Sequence, residues 1–186
     1  MKKKNKSASH RGESDLRKAV KFVALFALLF LPAYSVLAYT PLGGAFGGIA
    51  ADSSQFALKL LGVQTQKTVL ENGSYALEGE GFVAELNQAC AALIEIAVLF
   101  AIVFASFEKT LGERVKGFAY GTALLLLLNP VRIALSIIFI DPLVHDVLFR
   151  ITLVITIIGF YAFWHYGELA KSKSFWLGMH EKIRLK

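Results

Sequence analysis

A cysteine attacks a carbonyl as its thiolate, and a nearby imidazole and guanidinium are the groups that lower its pKa from about 8.5. This chain has one cysteine, Cys90, and four histidines, of which His10, His165 and His180 lie in or beside the chain ends and only His145 does not. The trio Cys90, Arg132 and His145 is therefore the set that could do covalent chemistry. His145 would take the thiol proton and return it to a leaving amine, while Arg132, always charged, would stabilise the oxyanion of a tetrahedral intermediate. Asn129 and Arg132 are three apart and Ser136 is four further on, so they share one helix face, and Asn129, Ser136 and Glu95 are the substrate-binding or supporting residues. Pro130 removes an amide hydrogen bond beside them and frees a carbonyl. Each residue also has a plainer reading. A lone cysteine is more often inert packing, a loop histidine is solvated, and Arg132 is a structural partner for Glu95. A metal site built on Cys90, His145 and a carboxylate lacks clustered ligand spacing, so neither metal nor cofactor is expected.

The surroundings of Arg132 sharpen the question, because Leu124 to Ile140 is otherwise almost wholly apolar. A charge at the bilayer centre costs at least about 2.5 to 3.5 kcal/mol, so such an arginine faces a bundle interior or a watery cavity. The 186 residues are 55% hydrophobic and 18% charged, which reads as one membrane domain rather than a soluble one. The net charge of +6 sits at the chain ends and in one loop, a topology signal rather than a nucleic-acid surface. With one cysteine, no intramolecular disulfide is possible.

Taken in order, residues 1–21 form a basic cytosolic tail without apolar periodicity, and Phe22 to Tyr39 can cross roughly 27 Å as a first transmembrane helix. Val36 to Ala38 resembles a signal-peptide cleavage site, the alternative to a retained helix, but the apolar stretch exceeds the usual signal-peptide length and the basic leader is long. Residues 40–88 form an extracytoplasmic segment: Pro41 to Leu61 reads as one or two helices lying on the bilayer, with Asp52 and Ser53 as caps and Gly62 as a stop. Thr68 to Leu70 and Ser74 to Leu77 flank Asn72-Gly73, the pair favoured in a type I′ hairpin turn. Asn72 also begins a glycosylation sequon, though the turn already explains it. Gly79 and Gly81 permit a second turn into an extended Phe82 to Leu86.

Ala89 to Phe107 is expected as the second span, Glu108 to Gly117 as a cytosolic loop, Phe118 to Ile140 as the third span and Asp141 to Asp146 as an outer turn. Val147 to Trp164 then forms the fourth span, and residues 165–186 a second basic cytosolic tail. The fold class is thus an all-α membrane protein of about four spans, with a domain over residues 22–164 and a small helix-and-hairpin insertion. The two outer segments hold two of the twenty basic residues, which puts both termini inside. On that topology Cys90 and His145 lie at the outer face. Arg132, roughly 12 Å below Ile140, lifts its charge towards them by snorkelling. Glu95, five residues beyond Cys90, falls about 140° round a helix and off the nucleophile's face.

A cysteine at the start of a membrane helix, then Asn129-Pro130-Val131-Arg132-Ile133 in the next, then His145 in the following outer turn, resembles the exosortase/archaeosortase family. The resemblance runs from about Asp52 to Trp164 and includes the Leu60 to Val63 lead-in. One departure is that a small residue and a glycine often follow the family's cysteine, where this chain has Ala91 and Ala92. The resemblance implies a membrane-embedded cysteine transpeptidase with Cys90, Arg132 and His145 as catalytic residues. Its partners would be membrane-anchored substrate proteins bearing a C-terminal motif, a transmembrane helix and a basic tail, and the acceptor a lipid, an amine or water. The competing reading, from another class, is a non-catalytic assembly or transport subunit in which Arg132 and Glu95 form a structural pair.

Overall fold

The computed structural model describes residues 4–87, 90–139, 151–152 and 154–167, with side chains from Leu16 onward. It is mostly helical with a small three-stranded sheet. The helices are α1 (Lys4–Tyr39), α2 (Pro41–Leu60), α3 (Leu93–Phe104), α4 (Leu111–Ile138) and α5 (Val154–Gly167). Between α2 and α3 come β1 (Thr65–Val69), β2 (Tyr75–Gly79) and β3 (Phe82–Leu86), in that spatial order and antiparallel throughout. Two helices are long and apolar enough to cross a membrane, Leu16–Tyr39 within α1 and all of α4; α3 and α5 are shorter apolar helices. Val23, Leu28, Leu31, Leu127 and Val131 are exposed large apolar residues on the two long helices.

The first helix begins at Lys4, so it extends through much of the segment expected as a tail. Pro41 opens α2, where its missing N–H belongs to a group that has no helical partner anyway. One helix then runs unbroken to Leu60, and Asp52 and Ser53 do not cap it. Asp52 instead pairs with Lys67 of β1, and Ser53 Oγ bonds back to Ile49 O. Gly62, at φ +84, lets the chain turn away as expected.

The hairpin also differs in its turn. Val69 pairs with Tyr75, which leaves five residues between the strands rather than the two of a type I′ turn. Gly73 takes positive φ but Asn72 does not. Asn72 Oδ1 instead accepts from Ser74 N at 2.9 Å, the local side-chain bond by which asparagine stabilises longer turns. The second turn, at Glu80 and Gly81, and the third strand fall where the sequence places them, with Gly81 at φ +81.

Two apolar clusters hold the elements together. Ala50, Ala51 and Leu58 of α2 meet Leu77 of β2, Leu86 of β3 and Ile133 and Ala134 of α4, with Cys90 packed at the edge. Ile96, Leu99 and Val103 of α3 meet Leu125 of α4 and Ile157 of α5. Close approach of α4 to α5 needs small residues: a Cβ on Gly117 would strike Trp164, and one on Gly121 would come within 2.6 Å of Leu99 and 2.7 Å of Phe160.

Two expected boundaries move. The fourth helix starts at Leu111, within the stretch expected as a loop, because Thr110 and Glu113 form a reciprocal capping box. The third starts at Leu93 rather than Ala89, because Ala92 is left-handed at φ 58 and a right-handed helix cannot run through it. His145, the outer turn at 141–146, the start of the fourth span, and the tail beyond Gly167 lie outside the described residues.

Candidate functional site

Cys90 occupies the turn ahead of α3, not the helix itself. Its backbone N–H donates to the carbonyl of Asn87 at 3.0 Å and meets Asn87 Oδ1 at 3.3 Å. Its own carbonyl accepts from Asn129 Nδ2 of α4 at 2.8 Å. Thus both sides of the Cys90 residue are tied down, one to the end of the sheet and one to α4.

Asn129 continues the connection. Arg132, one turn on, donates from Nη2 to Asn129 Oδ1 at 2.7 Å and from Nη1 to Glu95 Oε1 of α3 at 3.1 Å. The shared helix face read from the 129/132 spacing is therefore present, and so is the ion pair with Glu95. The Arg132 and Glu95 side chains are 9% and 2% exposed, so each charge depends on the other. Ser136 stands apart from this network, since its hydroxyl bonds back to Arg132 O at 2.9 Å, a bond internal to α4. Its role is local to the helix.

Arg132, Asn129 and Glu95 line a cavity of about 210 Å³ between α3, α4 and the start of the last helix. Among the described residues Leu125, Leu128, Val131 and Leu135 also line it, as do Ala92, Thr152 and Thr156. Cys90 does not line this cavity; it reaches Arg132 through Asn129. Of the two described members of the expected trio, Arg132 lines this cavity and Cys90 stands one hydrogen-bonded residue away; His145 lies outside the described residues. The helical-wheel placement of Glu95 against Cys90 does not apply, since the helix begins only after Cys90. A second cavity, of about 260 Å³, is lined by residues that include Asn87, Ala91, Tyr75, Glu85 and the glycines of early α2.

Electrostatics at the thiol run against spontaneous ionisation. Burial pushes the Cys90 thiol above the ordinary range. The Asn87 hydrogen bond and the Arg132 charge pull it back in part, while Glu95 and Glu85 add to the rise. The Cys90 side chain therefore rests as a neutral thiol, and any attack by it would require a base to remove its proton.

Three contributors escaped the sequence reading. Asn87 gave no signal beyond its nearness to Cys90. Thr152 and Thr156 carry one: they are polar residues at i, i+4 in an apolar stretch, and so fall on one helix face.

No protein-family model, curated protein or solved structure matches the chain.

Proposed function

We propose that the chain is a membrane-embedded cysteine peptidase and transpeptidase that cleaves proteins at a C-terminal sorting signal on the outer membrane face. Attack by Cys90 forms a thioester to the new C-terminus of the substrate, and the acyl group then passes to an amine, a lipid or water. The proton leaves the thiol for His145, which returns it to the departing amine. Arg132 supports the oxyanion of each tetrahedral intermediate. The observation that carries this reading is the hydrogen-bonded path from the Cys90 carbonyl through Asn129 to the buried Arg132 guanidinium. The bond is to the Cys90 backbone, so it supports the reading by fixing the place of the thiol next to a buried cation.

The reading takes the membrane topology with it: four spans, both termini in the cytosol, and the sheet, α2 and the Cys90 turn outside. Exposed Ile49, Phe56 and Leu60 on α2 fit a helix lying in the outer interface. The substrate is a membrane-anchored protein whose own transmembrane helix holds the cleavage site at this depth.

One observation favours a second reading, a non-catalytic assembly or transport subunit. The Glu95–Arg132 pair satisfies both charges within the protein, as a structural pair does. Processing in cells separates the two. A neighbouring gene encoding a protein with a motif, a membrane helix and a basic tail supplies the reporter. Cys90→Ala and Arg132→Lys should each abolish its cleavage with normal membrane levels of the enzyme. Full cleavage by Cys90→Ala, in cells lacking any related enzyme, would leave only the second reading.

A further inference from the structure

The amide of Asn129 is engaged at both ends inside the protein. Arginine has donors only, so the oxygen of Asn129 must face Arg132, and Nδ2 is left to donate to the Cys90 carbonyl. Asn129 is 5% exposed, and Glu95 fixes the guanidinium from the other side. The carbonyl it holds lies just before Ala91 and Ala92, which have no side-chain polar atoms, and Ala92 is in the left-handed region.

We infer that Asn129 is the positioning residue of the Cys90 site, fixing the Cys90 peptide against α4 and tying it to the Glu95–Arg132 pair. This deepens the thiol chemistry proposed above and rests on it. Asn129 touches no reacting atom; it acts through the backbone of the nucleophile. The Cys90 turn is held by Asn87 on the sheet side and by Asn129 on the helix side, so loss of Asn129 leaves it attached at one side only. The thiol then gains water, and the burial that keeps it protonated is relieved.

The test uses the full chain in detergent micelles, where Cys90 is the only thiol to react with iodoacetamide. In the unaltered protein the alkylation rate should rise with pH to a midpoint above the ordinary cysteine value, because the thiol stays neutral below it. Among the described residues the charged groups acting on the thiol are Arg132 from α4, Glu95 from α3 and Glu85 from β3, and none is substituted in the test. Asn129→Leu, nearly isosteric and suited to an apolar bundle, should lower the midpoint by about one pH unit, towards the ordinary value near 8.5, and raise the rate at neutral pH about tenfold. Ser106→Ala removes a buried hydroxyl that meets Tyr161 at 2.9 Å, at the far end of α3. It should lower stability and leave the profile in place.

An Asn129→Leu profile superimposed on that of the unaltered chain would make the asparagine merely structural and overturn the inference. Asn129→Ala serves if the leucine variant does not fold. In the unaltered chain, cysteine labelled with ¹³C at its carbonyl marks a single site, and dipolar contact between it and an asparagine side-chain ¹⁵N must be detected; its absence overturns the inference whatever the variants do. No substrate enters these measurements, so their failure is distinct from failure to find a thioester.

Discussion

Arg132 of α4 meets Glu95 of α3 at 3.1 Å, and neither side chain is more than a tenth exposed. Two charges removed from water in this way are stable only together. Deleting one partner of a buried pair costs about 3 to 5 kcal/mol, whereas replacing both with apolar residues is often neutral.

Glu95→Gln should therefore lower the unfolding temperature in detergent, and Arg132→Met should do the same. The double variant should be more stable than the sum of the two losses predicts. Additive losses in the double-variant cycle would show that the pair is not coupled. On the proposed chemistry the double variant is also inactive, so stability and turnover part company at this site.

Ala92 stands at φ 58, where an L-residue loses roughly 1 to 2 kcal/mol and glycine loses nothing for want of a Cβ. Ala92→Gly should relieve that strain and stabilise the fold by about 1 kcal/mol, less the extra chain entropy of a glycine when unfolded. The check is chemical denaturation of the purified protein. A loss of stability would mean that the left-handed turn is absent.

At Gly121 the chain has no room for a side chain, because Leu99 and Phe160 close over it. Gly121→Leu should cost about 1 to 3 kcal/mol or separate α4 from α5. Gly112, where a Cβ would meet nothing within 4 Å, is the matched control, and Gly112→Ala should be tolerated. Equal unfolding temperatures for the two would contradict the packing of α4 on α5.

Much of this was legible because its signals are local. Gly62 and Gly81 sit at positive φ where turns were expected, and Asn129 and Arg132 meet because their spacing alone puts them on one face. The start of α4 was legible too, in Thr110-x-x-Glu113, but basic residues drew the stretch into a loop; capping decides helix starts, and charge does not. The Cys90 turn was not legible. Nothing in Ala91-Ala92 marks a left-handed residue, and the turn is held by Asn87 and by Asn129, thirty-nine residues away, rather than by its own sequence. The Asn72 turn failed for a different reason: the Asn-Gly pair suits a two-residue turn, but the register of Val69 with Tyr75 leaves room for five, and the asparagine bonds to Ser74 instead.

If Cys90 is the nucleophile of an acyl transfer, as proposed, a thioester is its direct product. Full-length protein and a candidate substrate bearing a motif, a membrane helix and a basic tail should be incubated together, quenched in acid and digested. Mass spectrometry should then find the Cys90 peptide joined to the new C-terminus of the substrate, in a bond that hydroxylamine cleaves. The adduct should vanish in Cys90→Ser, whose hydroxyl is too weakly acidic for the same base to activate equally. Substrate cleaved at the motif with no adduct on Cys90 at any quench time, and at an undiminished rate in Cys90→Ser, would rule Cys90 out as the nucleophile.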